Sequence, residues 1–362
     1  MEDKLTQARK TINEIDKKMA ELFVSRMKAA ELVAEHKKEH GLEICDPIRE
    51  SEVIKKNSEL IESETYREYY VNFQQSVMDI SKSYQSRLLH GMKIAYSGTE
   101  GAYAHIAASR LFPNAKKIGY GSFDKAYRAV ENGECDVAVL PIENNYNGDV
   151  GQVSDLMFSG SLYVNNVTEL AITHDLLAPK GVKLQDIKTV ISHPQALGQC
   201  HEYIVKHGFD EIEFSNTALA AKHVANLSDL ETAAIASAEA AEIFGLEVLD
   251  TNINGGRTNT TKFAVFSRSH HRINSKDARV RTILFFTVKN KAGALAQAID
   301  VIAKYGFNMG ALRSRPMKEL MWQYYFYVET EGDISSEAGK KMMEELKDHC
   351  DILKSVGTYT AV

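Results

Sequence analysis

Proline is scarce in this sequence. There are six in 362 residues, and only Pro47 falls within the first 88. Glycine in that stretch is confined to Gly41. So few breakers exclude a loop-rich start and point to long, uninterrupted helices. Cysteine is equally sparse. Cys45, Cys135, Cys200 and Cys350 stand far apart and form no CxxC pair. That spacing argues against a disulfide framework or a zinc site, and the four read as reduced thiols in a cytoplasmic protein. No apolar run is long enough to span a bilayer, and the opening MEDKLTQARK lacks the apolar centre of a secretory signal. Positive charge is not in excess either. The formal net charge is −6, so the whole molecule has no general pull on nucleic acid or an anionic membrane. A helix-turn-helix and a basic reading face are also missing.

What is present divides into three. The length suits two or three domains rather than one core. Residues 1–90 carry helical spacing. Residues 91–268 alternate short β-rich runs, such as KIAY (93–96), DVAVL (136–140), TVIS (189–192) and AAIA (233–236), with helical patterns, which suits a mixed α/β domain. The polar run SHHRINSKDAR (269–279) reads as a linker. Residues 280–362 read strand, helix, strand, strand, helix, strand, the order of a small ferredoxin-like βαββαβ unit.

Within the first segment, Leu5, Ala8, Ile12, Ile15, Met19, Leu22, Ala30 and Val33 recur at steps of three and four, one stripe of a long amphipathic helix. Such a stripe needs partner helices, for instance from a second copy of the chain. Arg26 and Lys37 fall at its centre and Arg9 at its edge. Burying unpaired cations costs several kcal/mol, so either acidic partners neutralise them or they await an anionic ligand. DPIRE (46–50) opens a second helix with Pro47 in its first turn and gathers Asp46, Arg49 and Glu50. Ser81 and Gln85 share a face of a third helix.

In the second segment, KIAY runs into SGTEGAYAHIAA, a strand, a glycine-bearing loop and a helix start whose backbone N–H groups could hold an anion, or simply a tight βα turn. LPIENNYNG (140–148), SHPQALGQC (192–200) and NTTKF (259–263) are polar runs expected to follow apolar strands, where ligands bind in open α/β domains. In the third, a helix N-terminus is expected at Gly293, able to cap a carboxylate, or else the unit serves only dimerisation.

Taken together, these strings resemble the bifunctional enzymes that convert chorismate to prephenate and prephenate to phenylpyruvate. Residues 1–90 look like the all-helical, intertwined, dimeric chorismate mutase. The resemblance implies that Arg9, Lys37, Asp46, Arg49, Glu50, Ser81 and Gln85 line one pocket and that Arg26 reaches in from the other subunit. The chemistry suits these types. Arginines grip the two carboxylates of chorismate. A pericyclic rearrangement needs a held conformer and donors, here Lys37 and Gln85, at the ether oxygen where charge grows, and Glu50 would accept the ring hydroxyl.

PIEN, SHPQ and NTTKF, in that order, resemble prephenate dehydratase, a two-lobed α/β fold like that of periplasmic binding proteins, with its site in the cleft. The resemblance implies Thr261 as the catalytic hydroxyl, donating a proton to the departing ring hydroxyl. Glu143, Asn144, His193, Gln195 and Lys262 would contact prephenate. Ala102 and Ala104 flank Tyr103 where the family carries hydroxyl residues, and Lys262 replaces its arginine. These departures bear on prephenate against arogenate as the substrate.

Residues 281–316 resemble the ACT domain of phenylalanine-sensitive dehydratases. Gly293, Ala294 and Leu295 match its first ligand loop, and Asn308, Ser314 and Arg315 its second, usually ESRP, with Arg313 in place of the glutamate. The resemblance implies feedback by L-phenylalanine, a homodimer or larger homo-oligomer, and no metal or organic cofactor. A cleft and sensor acting as a non-catalytic amino-acid regulator is the alternative from another class. Retention of Thr261 and of the stripe cations speaks for the enzyme.

Overall fold

The computed structural model describes residues 3–227, 229–255, 259–271, 279–317 and 323–361. The chain divides into two compact units, residues 1–93 and 94–362. Among the described residues no helix is long and apolar enough to cross a membrane. Most of the expected linker, residues 272–278, lies outside the described residues.

The first unit is three helices: α1 (Lys4–His40), α2 (Pro47–Ser58) and α3 (Glu64–His90). Helix α1, of 37 residues, is about 55 Å long. It stops where the sequence has its first glycine: Gly41 takes the left-handed conformation, φ 63°, and its N–H bonds the Lys37 carbonyl. Asp46 caps α2 by accepting from the Arg49 amide at 3.0 Å, with Pro47 next in line. Helices α1 and α2 both pack on α3. In α1 the buried residues are Ala30 and Ala34. Leu5, Ile12, Ile15, Met19 and Leu22, the predicted stripe, are exposed. Val33 is exposed too, so one chain covers Ala30 and leaves most of the stripe bare.

Among the described residues the second unit holds three sheets. The first orders the strands Lys116–Tyr120, Lys93–Ser97, Val137–Asn144, Thr260–Ser267 and Tyr163–Ala171, with the short strand Gly148–Asp149 against Val137–Asn144. Strand Thr260–Ser267 runs antiparallel to both neighbours. The second sheet orders Glu247–Asp250, Asp175–Ala178, Thr232–Ala236, Thr189–Ser192 and Asp210–Glu213. The chain thus leaves the first lobe near residue 172, builds the second, and returns at residue 259. The two crossing segments bond to each other: the Ile172 amide to the Asn259 carbonyl at 2.7 Å, and Ile253 to His174 at 2.8 Å.

The third sheet comes from the predicted βαββαβ order: Val280–Thr287, helix Ala294–Lys304, Asn308–Pro316, Tyr324–Glu331, helix Glu337–His349 and Ile352–Thr360. It is antiparallel throughout, with Asn308–Pro316 at one edge. One face shares a core with the first lobe. Phe285, Tyr325, Tyr327 and Tyr359 pack with Leu140, Val164 and Phe266. A Cβ on Gly357 would collide with the Val164 carbonyl, so only glycine permits this backbone approach. Two clamps add to the contact. The Lys354 ammonium donates to the carbonyls of Met157, at 2.7 Å, Phe158 and Gly160, at the C-terminal end of helix Gly151–Ser159, as a cation should. At the middle of the same helix Arg315 donates to Asp155 at 3.1 Å.

The structure corrects one reading of the motifs. PIEN and TTKF are not loops after strands but the paired ends of strands Val137–Asn144 and Thr260–Ser267. Their polar residues look loop-like because this end of the sheet borders a cleft and an ion cluster instead of a core.

Candidate active sites

In the helical unit, α3 turns Ser81 and Gln85 inward, both buried. Arg26 donates to the Ser81 hydroxyl and, at 3.3 Å, to the Val77 carbonyl. Lys37 donates to the Ile44 carbonyl at 2.5 Å. Glu50 pairs with Lys82 at 2.8 Å, a partner the sequence reading missed because Lys82 sits beside the helical positions that were matched. Burial lowers the Lys82 ammonium, but Glu50 and Asp79 outweigh it and hold it above the ordinary value. The buried oxygen of Gln85 has no partner among the described residues. A native buried acceptor left unpaired calls for an account, and a ligand donor or a turned amide presenting NH₂ supplies one.

Two expectations change. Arg26, assigned to the other subunit, belongs with Ser81 of its own chain. Arg9, assigned to the same pocket, lies 17 residues earlier on the same helix, about 25 Å along its axis. Asp46 has its carboxylate engaged in capping α2, and Arg49 is exposed, 3.5 Å from Glu52.

In the second unit a cavity of about 410 Å³ opens between the lobes, lined by Tyr103, Asn144, His174, His193, Gln195, Gln199, Asn259 and Thr261 among others. Cross-strand pairing explains its centre. Thr261 stands opposite Asn144, and a bulge at Ile142 re-aims the strand so that Pro141 and Asn144, three apart, both face the cavity with Thr261 and Phe263. The Asn144 amide is fully engaged. Its oxygen accepts from the amides of Tyr146 (3.0 Å) and Asn147 (2.9 Å), which fixes its orientation. Its nitrogen therefore donates to Asn259 (2.7 Å) and to Thr261 Oγ1 (2.9 Å). Asn144 thus holds Thr261 and has no proton left for a ligand. A hydroxyl that accepts such a bond is polarised and becomes a better donor, and Thr261 opens on the cavity.

The network continues beyond what the motifs named. Asn259 donates to Gln199 Oε1 at 2.9 Å, and His174 Nε2 lies 2.8 Å from the same oxygen. His174 therefore carries its proton on Nε2, and its Nδ1 lies 3.0 Å from the Tyr103 oxygen, whose one proton is donated to the Thr173 carbonyl at 2.6 Å. Burial pushes the His174 imidazole below its ordinary 6.5, only partly offset by Gln199. The unfolded chain therefore takes up that proton first, and the stability owed to neutral His174 is whole above about pH 6.5 and declines below it. Histidine NMR should show His174 titrating below 6.5, and a midpoint at or above that value would contradict the network. Gln199 lies in the run SHPQALGQC (192–200), although the resemblance assigns roles only within its first four residues, whereas His174 belongs to no recognisable string.

His193 caps the helix Pro194–Gln199, its Nδ1 accepting from the Gln195 amide at 3.3 Å, and both residues line the cavity. Glu143 and Lys262, expected to touch substrate, do not line it. As neighbours of Asn144 and Thr261 on pleated strands they point to the opposite face, where they pair at 3.0 Å. The third segment divides in the same way. Arg313 and Arg315 face the first lobe, while Asn308 and Ser314 are exposed on the other side of their strand. Helix Ala294–Lys304 starts after Gly293, as expected.

A helical unit with inward cations and a two-lobed α/β unit with a hydroxyl in its cleft define a two-site enzyme. The chorismate mutase type II family matches residues 8–86, and the prephenate dehydratase family residues 94–271. A bifunctional chorismate mutase/prephenate dehydratase of Enterobacter agglomerans is 32% identical over 98% of this chain and 95% of its own. Arogenate dehydratase 2 of Petunia hybrida is 34% identical over 74% of this chain and 71% of its own. Among solved structures, a quorum-quenching acylase, GqqA, superposes with a TM-score of 0.70 at 30% identity, covering 75% of this chain and 98% of its own. Prephenate dehydratase of Arthrobacter aurescens in complex with L-Phe gives 0.69 at 25% identity, covering 75% of this chain and 90% of its own. The chain belongs to the bifunctional chorismate mutase/prephenate dehydratase family. It rearranges chorismate to prephenate and converts prephenate to phenylpyruvate in phenylalanine biosynthesis.

Proposed function

We propose that the two reactions run at the two sites just described and that the C-terminal unit is an ACT-type sensor of L-phenylalanine. The observation that carries the dehydratase assignment is Thr261, held by Asn144 with its hydroxyl open to the cleft. Loss of CO₂ pushes electrons through the ring and expels the ring hydroxyl, which needs one proton. Thr261 supplies it, directly or through water, while aromatisation provides the driving force. His193 and Gln195 position the substrate from the second lobe. A paired assay tests the whole reading: chorismate consumption and phenylpyruvate formation both proceed, and L-phenylalanine slows the second. Prephenate accumulating without phenylpyruvate would defeat it.

The mutase site is composite. Arg26, Lys37, Arg49, Glu50, Ser81 and Gln85 come from one chain, with Asp46 fixing the start of α2, and Arg9 comes from a second copy whose α1 covers the exposed stripe. The bare Leu5, Ile12, Ile15, Met19 and Leu22 support this reading. Arg9→Ala and Lys37→Ala dimers are each expected to be inactive, yet mixing them by refolding should restore about a quarter of wild-type mutase activity. Half the dimers are hybrids with one intact site of two. No recovery would mean that each chain carries its own Arg9.

The sensor site is composite on the same reasoning. Gly293, Ala294 and Leu295 begin the helix Ala294–Lys304, whereas Asn308 follows its far end, about 16 Å away for 11 residues. Pairing along the edge strand Asn308–Pro316 would bring the exposed Asn308 and Ser314 of one copy to the Gly293 turn of another. Arg315, engaged by Asp155, then supports that strand from behind. We place the enzyme in the cytoplasm, a reading supported by its four cysteines, none of them in a disulfide.

A second reading of the cleft, arogenate in place of prephenate, is favoured by the Petunia relative. Comparing kcat/KM for the two substrates decides between them.

A further inference from the structure

Six charges gather where the third sheet meets the first lobe, behind Thr261 and reaching the cavity edge at Asp149. Glu143 is bonded by Lys262 at 3.0 Å and by Arg313. Asp149, strand-paired with Glu143, lies 3.8 Å from Arg313 and 3.7 Å from Arg315. Asp155 takes Arg315 at 3.1 Å. Three carboxylates thus face three cations, all less than a third exposed. The Arg313 guanidinium is also seated 5.0 Å over the Tyr327 ring, which fixes its plane. It is the member that ties the others together, because among the described residues it alone reaches both Glu143 and Asp149.

These two acids bracket the part of the chain that builds the cleft wall. Glu143 directly precedes Asn144, the residue that holds Thr261, and Asp149 ends the turn and itself lines the cavity together with Asn147, Gly148 and Val150. On a pleated strand Glu143 and Asn144 cannot move independently. We propose that Arg313 is a positioning residue for dehydration: by holding Glu143 and Asp149 from the third sheet, it sets the place from which Asn144 presents Thr261. The proposal rests on the reading of Thr261 as the proton donor. It also gives the third sheet a direct mechanical hold on the catalytic strand. Burial alone would raise the Glu143 carboxyl, but Lys262 and Arg313 together hold it below the ordinary range, consistent with an ion pair in place at working pH.

The test uses the full chain, with mutase activity in the same preparation as the control for folding. Arg313→Gln should lower dehydratase kcat about tenfold, since small misplacements of reacting groups are costly, with KM and mutase rate unchanged. Arg313→Lys, which keeps the charge and loses the fork, should recover most of the loss. The acid limb of the dehydratase profile should move to higher pH in Arg313→Gln, because Glu143 loses a cation. In a Glu143→Gln background, Arg313→Gln should add nothing. Wild-type kcat in Arg313→Gln, or losses that add in full with those of Glu143→Gln, would overturn the proposal. Retention of dehydratase activity by Thr261→Val would instead overturn the site assignment beneath it.

Discussion

Thr261→Val is expected to halt phenylpyruvate formation while chorismate is still consumed, so that prephenate accumulates. Valine keeps the branched shape and removes the one hydroxyl that Asn144 presents to the cleft. Loss of a positioned proton donor costs roughly two to four orders of magnitude. The strand itself should survive, because valine suits a strand at least as well as threonine. The side effect is a lost acceptor for one Asn144 proton, whose amide keeps Asn259 at 2.7 Å. A smaller companion effect is expected for Asn144→Ala, which leaves the hydroxyl but frees its rotamer. If Thr261→Val turned over prephenate at the wild-type rate, the proton would have to come from elsewhere in the network, with His174 and Tyr103 the next groups along it.

Lys37→Ala should produce the mirror image. Among the described residues the Lys37 ammonium bonds a neutral carbonyl, that of Ile44, so its charge is available to an anionic ligand. Removing one preorganised donor to a developing oxyanion costs about 3 kcal/mol, or roughly two orders of magnitude in rate. Chorismate turnover should fall by that amount, whereas prephenate supplied directly should be dehydrated normally. Both activities falling together in a folded protein would mean that the two sites depend on each other.

The helices were legible because breakers mark their ends. Gly41 stops α1, and Asp46 with Pro47 starts α2, at the positions the sequence suggested. The βαββαβ order of the third segment was equally plain, since strand and helix patterns alternate and Gly293, Gly306 and Gly332 mark three of its turns. The cleft was harder. PIEN and TTKF were visible as strings, but their strand character was not, because polar side chains facing a cavity or an ion cluster abolish the apolar alternation that identifies a strand. Direction along a pleat then decided which members matter: Thr261 and Asn144 face the cleft, and Lys262 and Glu143 face away. His174 was invisible, since a buried histidine reached only through folding leaves no local pattern, and Gln199 stood in SHPQALGQC with nothing local to mark it out from its neighbours. Arg313 was conspicuous as a departure from ESRP, yet its partner Glu143 lies 170 residues away and belonged, on sequence grounds, to another site.

Strand Thr260–Ser267 lies between Val137–Asn144 and Tyr163–Ala171 although it is made after the entire second lobe. A ribosome therefore releases the first lobe as an incomplete sheet with two bare edges, and such edges are sticky. The second lobe, residues 175–250, has all of its strands in one continuous stretch and can fold while the first still waits. The mutase helices are complete earlier still, and domains generally fold in order of synthesis. Biosynthesis thus runs in the order of the pathway: the part that makes prephenate is finished first, and Thr261 is among the last pieces of the dehydratase lobes to be put in place.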